Sequence, residues 1–455
     1  MIPLSLSRIR EYLGLPSGAE GMAHSISASS KTLKSGGLFA ALKGTRSDGH
    51  DYVNEAFELG ASACLCEREI PNPKGEIIYV PDVMKALGKI AAGYLEDHRP
   101  KLVVGITGSV GKTTTKEYCA AVLSQKYKTL KSQGNFNNHL GLPLTVFELE
   151  DHEAAIFEMG MSDFGELSYL TSIVKPDIAI ITNIGMSHAE RLGSRDGILK
   201  AKLEILEGLP QNGCVILNGD DRKLRALEGT TGFTEVFFGI DNCASVVRAK
   251  KLSEENENVS FRADLGEGFS IDLTCVGKHN VYNILPALTL GVIAGIPPSR
   301  IKLGVESFEC SAMRLQVFTR GGITVINDCY NASPDSMSAA IDVLKGMDAR
   351  GGKKLAVLGD MRELGSFSAR EHTKVGSLAC SVADFLLVTG CNAKHYLEGA
   401  NADRIGVTAF SYDTPERLVK ALRSIVRPCD IILFKASRAA KLERVIDMFF
   451  EEDAL

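Results

Sequence analysis

The sequence predicts an α/β protein of three domains: a small α/β N-terminal domain, a central P-loop domain built on a parallel sheet, and a C-terminal, Rossmann-like doubly wound domain. A short apolar run rich in β-branched residues, at 103–107, leads through a glycine-rich turn into a segment with helical periodicity. Later apolar runs each end in polar residues, which is typical of parallel strands buried on both faces. At 455 residues the chain exceeds what one core usually supports. We therefore predict domains at 1–82, 83–313 and 314–455.

The composition excludes several classes of function. A net charge of -5, without any basic block that interleaves with aromatics, argues against a nucleic-acid partner. Arg8 and Arg10 lie where a signal peptide would need its apolar segment, and no apolar run reaches membrane-spanning length. The 11 cysteines, without a C-x-x-C pair, fit reduced thiols. We expect a cytoplasmic protein without a membrane span, and a monomer.

The glycine-rich turn has the features of a phosphate-binding loop. Backbone N–H groups of such a turn and of the following helix point at one spot, where the helix dipole favours an anion. Lys112 would add a positive charge and the Thr113 hydroxyl could ligate Mg²⁺. The usual spacing would require glycine where the sequence has Ile106, so the loop is a shorter form, and a plain glycine-rich turn with a surface lysine is the alternative. The candidate nucleotide-binding residues are Thr107, Gly108, Ser109, Val110, Gly111, Lys112, Thr113 and Thr114.

Two further strands of the central domain end in polar residues. The run 154–157 leads into Glu158, and the run 177–181 leads into Thr182 and Asn183. Because ligands bind at the carboxyl ends of parallel strands, these ends should meet at the phosphate loop. Glu158 is then a candidate Mg²⁺ ligand, with a helix cap as the alternative.

Two polar segments are candidate substrate sites. The first lies in a turn of the N-terminal domain and contains Asp48, Gly49 and His50; binding and a plain turn are equally open here. The second, between 134 and 143, contains Asn135, Asn137 and Asn138, and suits either substrate recognition or a turn satisfied by its own amides.

The C-terminal third repeats the strand-then-polar pattern at 323–328, 355–360, 385–390 and 430–435. These runs predict a second doubly wound sheet that faces a shared cleft.

Two polar residues of the central domain, His188 and Lys202, have no assigned role from the sequence pattern. By residue type alone, a histidine is usually a structural or surface residue and a lysine is usually solvated.

The order and spacing of the motifs resemble the Mur ligases of bacterial cell-wall synthesis over essentially the whole chain. The strings at 327–336 and 358–365 are the most specific, and they resemble the family member that adds a dipeptide. The matching motifs are G-x-x-G-K-T-T at 108–114, Asn135-x-Asn137-Asn138, Glu158-Met159-Gly160, His188, Lys202, the 277–283 string Gly-Lys-His-Asn-Val-Tyr-Asn, and Arg314.

The resemblance implies an ATP-dependent amide ligase that joins D-alanyl-D-alanine to a UDP-N-acetylmuramoyl-tripeptide, with ATP and two Mg²⁺ ions as cofactors. Its three domains would bind the UDP-sugar, ATP and the dipeptide. Lys112, Glu158, His188 and Lys202 would be the catalytic group. Thr113 and Glu158 would hold the first Mg²⁺ and His188 the second, while Lys202 would carry a carbamate. Asn280 and Asn283 would contact adenine, Arg314 and Asp328 the nucleotide from the third domain, Tyr330 and Asn331 the dipeptide, and Ser29 and Ser30 the uridine side.

The chain departs from the family pattern at three places. Ser29-Ser30-Lys31 stands where Asp-Ser-Arg is frequent, Ala436 stands where the C-terminal motif has glycine, and Pro286 should kink or restart the helix after Asn280.

Three alternative functions stay open from the sequence. A neighbouring ligase that adds one amino acid is disfavoured by the 328–336 string. A phosphotransferase would form ADP without consuming an amine. The third alternative is a nucleotide-gated binding protein or GTPase-like switch, and the sequence lacks the guanine-reading Asn-Lys-x-Asp motif, which counts against GTP.

Overall fold

The computed structural model describes residues 1–451 apart from positions 19, 46, 243, 257, 267, 309–312 and 404–407. It confirms the predicted α/β class, since three largely parallel sheets follow one another along the chain, each with its own helices. The boundaries at 82/83 and 313/314 stay predictions.

The N-terminal part combines a two-stranded antiparallel ribbon with a four-stranded parallel sheet in the order β3-β4-β5-β6. Its last helix begins at an Asp82 cap, whose carboxylate accepts a hydrogen bond from the Lys85 N–H. Leu87, Ile90 and Tyr94 of that helix lie in one hydrophobic core with side chains of the next domain, so the two are packed together. The elements are β1 (Leu4–Ser5), α1 (Leu6–Leu13), β2 (Met22–Ala23), β3 (Ile26–Ser27), β4 (Leu38–Ala40), α2 (Val53–Glu58), β5 (Ala63–Cys66), β6 (Ile77–Tyr79) and α3 (Val83–Asp97).

The central sheet has nine strands in the order β15-β14-β13-β12-β11-β10-β7-β9-β8. The ladders from β8 to β13 are parallel, and β13, β14 and β15 pair antiparallel. The strands are β7 (Leu102–Thr107), β8 (Thr129–Lys131), β9 (Ala154–Glu158), β10 (Ile178–Ile181), β11 (Cys214–Asn218), β12 (Thr234–Gly239), β13 (Val247–Glu255), β14 (Asn258–Asp264) and β15 (Ser270–Val276). The helices are α4 (Lys112–Leu123), α5 (Gly141–Val146), α6 (Glu166–Val174), α7 (Ala189–Leu192), α8 (Arg195–Leu203), α9 (Arg222–Arg225), α10 (Lys278–Ile293) and α11 (Pro298–Glu306).

Strand β7 lies between β10 and β9, and this order positions the site. Because all three strands are parallel, their carboxyl ends meet at one edge of the sheet. The phosphate loop, Glu158 and Asn183 are therefore neighbours.

The C-terminal sheet has six strands in the order β16-β17-β21-β18-β19-β20, of which only the edge strand β16 pairs antiparallel. Separate hydrophobic cores lie on its two faces, one with α12 to α14 and the other with α15 and α16, which is the predicted doubly wound arrangement. The elements are β16 (Gln316–Arg320), β17 (Ile323–Asp328), α12 (Pro334–Gly346), β18 (Lys354–Leu358), α13 (Ser368–Cys380), β19 (Phe385–Thr389), α14 (Ala393–Asp403), β20 (Thr408–Tyr412), α15 (Pro415–Ile425), β21 (Ile431–Lys435) and α16 (Glu443–Phe450).

Within the described residues, no helix has both the length and the apolar character needed to cross a membrane.

Candidate active site

The phosphate loop requires glycine at two positions because neighbouring side chains approach its backbone. A Cβ atom at Gly108 would lie 1.9 Å from the Thr182 hydroxyl oxygen, and one at Gly111 would lie 2.2 Å from Asn283 Oδ1. Gly111 also has a left-handed backbone, with φ +83°, immediately before α4. Any side chain here would push the loop away from its supports.

The segment after β10 holds the loop in place. Asn183 Oδ1 accepts a 3.0 Å hydrogen bond from the Val110 N–H, while the Asn183 amide and the Thr182 hydroxyl both donate to the Val110 carbonyl. The Gly185 N–H donates to Ser109 Oγ across 2.8 Å. The segments that follow the carboxyl ends of β7 and β10 are therefore bonded to each other through the loop.

The loop lysine lies over its own backbone. Lys112 Nζ donates a 2.8 Å hydrogen bond to the Gly108 carbonyl. Thr107 lies fully inside, and its hydroxyl has no hydrogen-bond partner among the described residues. Thr114 is half-buried on the first turn of α4. The eight predicted nucleotide-binding residues therefore span the end of β7, the loop itself and the first turn of α4.

Glu158 is the centre of a polar cluster beneath the loop. The Thr113 hydroxyl donates to its Oε2 at 2.7 Å, and the Asn137 amide donates to its Oε1 at 2.8 Å. The carboxylate is only 2% exposed. Hydroxyl and carboxylate oxygens are the donors that Mg²⁺ prefers, with its remaining positions filled by water and substrate phosphates. The donor set at Thr113 and Glu158 therefore fits a Mg²⁺ ion bound together with a nucleotide.

Sequence reasoning missed Lys116, which is fully buried beside this cluster. Its Nζ lies 4.0 Å from Glu158 and donates hydrogen bonds to the carbonyls of Ser132 at 2.6 Å and Gly134 at 3.2 Å. The lysine thus ties helix α4 to the start of the amide-rich segment. A lysine one turn after Lys112, on the inward face of the helix, was the available signal.

The other two asparagines of that segment differ from Asn137. Asn138 Oδ1 accepts hydrogen bonds from the N–H groups of Leu140 and Gly141, as in a turn satisfied by its own side chain. Asn135 is exposed. Their substrate contacts stay predictions.

Two short helices follow β10; His188 lies just before the first of them, α7, and Lys202 lies on the second, α8. His188 precedes α7 with a left-handed backbone, and its Nδ1 lies 2.5 Å from Oε2 of Glu363 in the C-terminal domain. Lys202 on α8 is 1% exposed, and no carboxylate in the described part of the chain lies within ion-pair distance of it. Burial lowers the pKa of Lys202 well below 10.5, and the neighbouring Lys112 lowers it further. The lysine is therefore not the solvated residue that its type alone indicates.

The two predicted adenine-side asparagines lie at the start of α10, which packs against α4. The Asn283 amide donates to Asn280 Oδ1 at 2.8 Å, and the Asn280 amide donates to the Val276 carbonyl at 2.8 Å. Asn283 is also the side chain that approaches Gly111. Asn283 therefore borders the phosphate loop, and Asn280 is bonded to Asn283 from the side away from Gly111.

The C-terminal domain brings Arg314 to the same point. Its guanidinium donates a 2.9 Å hydrogen bond to the Thr113 hydroxyl and stacks on the Tyr330 ring, 3.9 Å from the centroid. Asp328 is largely buried, with one oxygen 2.5 Å from Lys435 Nζ and the other accepting from the Leu315 N–H. These bonds make Asp328 an internal partner of the lysine, and its nucleotide contact stays a prediction.

Asn331 is exposed beside Tyr330, and its carbonyl accepts a 2.9 Å hydrogen bond from Lys435. Ala436, which replaces the glycine of the family motif, is absent from the residues with positive φ. Its side chain is therefore tolerated without backbone strain.

The candidates of the N-terminal domain lie in two turns. Ser29 is exposed and Ser30 half-buried at the start of a short 3₁₀ helix. Asp48 caps another 3₁₀ turn, which begins at Gly49, by accepting from the His50 N–H. The buried His50 has both ring nitrogens engaged, Nδ1 with Asp48 at 2.6 Å and Nε2 with the Glu67 N–H at 2.9 Å. A direct substrate contact by His50 stays a prediction, which these bonds do not favour.

Comparison with known families agrees with this architecture. Three family models match the chain in order: the Mur ligase family catalytic domain at 23–95, the Mur ligase middle domain at 106–291, and the Mur ligase glutamate ligase domain at 313–438. The chain belongs to the Mur ligase family.

Individual relatives cover the full length. The UDP-N-acetylmuramoyl-tripeptide--D-alanyl-D-alanine ligase of Bacillus subtilis is 38% identical, over 97% of this chain and 96% of its own. A crystal structure of MurF from Acinetobacter baumannii superposes with a TM-score of 0.90 at 29% identity and covers 99% of both chains. MurF from Thermotoga maritima, solved in complex with ADP, gives a TM-score of 0.83 at 31% identity, over 93% of this chain and 96% of that one.

Proposed function

We propose that this chain is an ATP-dependent ligase that joins D-alanyl-D-alanine to a UDP-N-acetylmuramoyl-tripeptide and releases ADP and phosphate. The observation that carries the proposal is the convergence of Lys112, the Thr113–Glu158 pair and Arg314 on one point. The name of the full-length Bacillus subtilis relative supplies the substrates. The product would be the UDP-muramoyl-pentapeptide used in peptidoglycan synthesis.

The reaction needs stabilisation of negative charge twice. The tripeptide carboxylate attacks the γ-phosphoryl group to give an acyl phosphate, and the dipeptide amine then displaces phosphate through a tetrahedral intermediate. Lys112, Arg314 and the N–H groups of the loop provide positive charge and dipoles that are already oriented. Because the loop is held by Thr182 and Asn183, little reorganisation accompanies the reaction.

Two Mg²⁺ ions complete the proposed site, one held by Thr113 and Glu158 and one by His188 with a carbamate on Lys202. When bound, they would stabilise the charge on the phosphoryl oxygens. Lys202 is buried without a carboxylate partner among the described residues, and this supports the carbamate because it favours the neutral amine that reacts with carbon dioxide.

The substrates would reach the loop from the other two domains. We place the UDP-sugar near Ser29, Ser30, Asp48 and Gly49, the peptide along Asn135 to Asn138, adenine at Asn280 and Asn283, and the dipeptide at Tyr330 and Asn331. Three of these sites carry exposed side chains, in Ser29, Asn135 and Asn331. We further propose a monomer that works in the cytoplasm.

The mass of the product tests this function. Incubation with ATP, UDP-muramoyl-tripeptide and D-alanyl-D-alanine should give a product heavier than the tripeptide by one dipeptide minus water, with one ADP per product. Each substrate should be omitted in turn, because a ligase requires both for ADP release. ADP formed without dipeptide would indicate a phosphotransferase, and a product with one added amino acid would indicate the neighbouring ligase. Tripeptides ending in lysine and in a diamino dicarboxylic acid should be compared, since the sequence leaves the third residue open.

A further inference from the structure

Two turns from different domains meet beside the phosphate loop. One precedes α7 in the central domain and contains His188, and the other follows β18 in the C-terminal domain and contains Glu363. Glu363 Oε2 lies 2.5 Å from His188 Nδ1, and the Glu363 carbonyl accepts a 3.2 Å hydrogen bond from the Glu190 N–H. A Cβ atom at Gly365 would lie 3.1 Å from the Glu190 Cα atom. The two turns are thus joined through both backbone and side chains.

The paired residues share an uncommon backbone conformation. His188 has φ +64° and Glu363 has φ +61°, in the left-handed region that non-glycine residues seldom adopt. Such conformations persist only where the surroundings hold them, and they cluster at functional sites. The pair is partly exposed, with the His188 side chain 21% and the Glu363 side chain 55% accessible, and ion pairs that reach solvent contribute little to stability.

The position of Glu363 determines which ring nitrogen of His188 is available to bind a ligand. Nδ1 is buried and lies 2.5 Å from the carboxylate oxygen, although the ring is not aligned with that oxygen for a hydrogen bond. Nε2 has no hydrogen-bond partner among the described residues. A carboxylate at Nδ1 favours the tautomer with its proton there, which leaves the Nε2 lone pair for a ligand. Carboxylates often orient metal-binding histidines in this way.

We propose that Glu363 is a positioning residue that the C-terminal domain delivers to His188 when the domains close. By holding the imidazole through Nδ1, it directs Nε2 toward the second Mg²⁺. This inference rests on the proposed function, in which His188 binds that ion. The metal site would then be complete only in the closed enzyme, so that charge stabilisation at the phosphoryl group depends on closure.

Asp335 provides a matched control because it crosses the same interface without contacting His188. Its Oδ2 accepts a 3.0 Å hydrogen bond from the Met186 N–H, and its Oδ1 lies 3.8 Å from Arg195. Removing it weakens the interface but leaves the His188–Glu363 pair. A role for Glu363 that is merely structural would make the two substitutions equivalent.

The experiment replaces Mg²⁺ by Mn²⁺ in the full-length enzyme with a non-hydrolysable ATP analogue and UDP-muramoyl-tripeptide. Pulsed electron paramagnetic resonance detects nitrogen coupled to Mn²⁺, and His188→Ala identifies the imidazole signal. We expect Glu363→Ala to lose most of this signal and Asp335→Ala to retain it. Glu363→Gln, which keeps an oxygen beside Nδ1 but removes the negative charge, should lie between. In turnover assays, Glu363→Ala should raise the half-saturating Mg²⁺ concentration about 10-fold or more, the scale for losing such a partner.

The outcomes separate this inference from the proposed function. A nitrogen signal that is unchanged in Glu363→Ala, or lost equally in Asp335→Ala, would overturn the role of Glu363 while leaving His188 as a ligand. If the wild type itself shows no signal that depends on His188, the metal role of His188 fails and the inference fails with it. The product-mass assay would still decide whether the chain is a ligase.

Discussion

Arg314 of the C-terminal domain donates a 2.9 Å hydrogen bond to the hydroxyl of Thr113, although 201 positions separate the two residues. The same hydroxyl donates to Glu158 Oε2. One small side chain therefore connects the carboxylate beneath the phosphate loop with a cation from another domain. A phosphate bound at the loop would therefore lie between groups of the central domain and Arg314 of the C-terminal domain.

The first prediction concerns Lys112. If its ammonium neutralises charge that develops on the transferred phosphoryl group, Lys112→Ala should lower turnover by about 10²-fold or more, the scale for losing one preorganised group. The fold should survive, because the hydrogen bonds that the ammonium makes to described residues go to the carbonyls of its own loop. Steady-state release of phosphate measures the effect. The control is Lys101→Ala, an exposed lysine paired with Glu153 just before β7. Near-normal turnover in Lys112→Ala would exclude the loop as the catalytic phosphate site.

The second prediction concerns the stability contributed by Lys116. Lys116→Met keeps the length of the side chain but removes the buried cation that lies 3.1 Å from Glu117 and 4.0 Å from Glu158, and it leaves two carbonyls without that donor. Breaking a buried pair in this way costs about 3–5 kcal/mol of unfolding free energy. Urea denaturation measures it. Lys128→Met removes the exposed pair with Asp151 and should change stability by about 1 kcal/mol or less. Equal effects of the two substitutions would show that Lys116 is not an internal counter-ion.

The features predicted from sequence are those encoded over short stretches. The glycines of the phosphate loop and the ends of β7, β9 and β10 follow from local patterns and from the rule that parallel strands share an edge. Contacts between distant segments have no such signal. Glu363 meets His188 across 175 positions of sequence, and nothing in either turn identifies the other. The string that contains Glu363 carried the resemblance, but no role could be assigned to it.

Some elements escaped prediction for a different reason. Strand β20 is largely exposed at the edge of its sheet, so it lacks the continuous apolar run that marks a buried strand. The expected interruption at Pro286 was not observed as a break: α10 continues from Lys278 to Ile293. Its partners α4 and β11 to β13 pack along the helix, and this packing outweighs the lost backbone hydrogen bond.

The third prediction concerns domain closure. Arg314, Asp335 and Glu363 contact the central domain through polar groups, which are the kind of contacts that a hinge motion can break and remake. Saturation with an ATP analogue and UDP-muramoyl-tripeptide should therefore reduce the radius of gyration in small-angle scattering. Arg314→Ala should weaken the compaction, because Arg314 is the residue of the three that bonds to Thr113 of the phosphate loop. An unchanged radius with both ligands bound would contradict a closing cleft.

The last prediction concerns Lys202. An ordinary lysine with a pKa near 10.4 is neutral in about one molecule in 2,500 at pH 7, and only the neutral amine reacts with carbon dioxide. Burial, together with Lys112, lowers the pKa of Lys202 well below its usual value, so the neutral fraction at pH 7 rises. Carbamate formation should therefore persist near neutral pH and decline as the pH falls through the lowered pKa. The product would place a carboxylate-like anion where the described residues supply none.

We therefore expect Lys202→Ala to lose most activity and to recover part of it with acetate or formate, but none with methylamine. Depleting bicarbonate should weaken the wild-type enzyme in the same direction. The matched control is Lys200→Ala, which removes an exposed lysine two residues earlier on the same helix and should change activity little, with or without acetate. The measurements are turnover at saturating substrates and its dependence on the added acid or amine. Rescue by methylamine and not by acetate would show that the enzyme uses Lys202 as an ammonium. Near-normal activity of Lys202→Ala would show that its burial serves the fold alone.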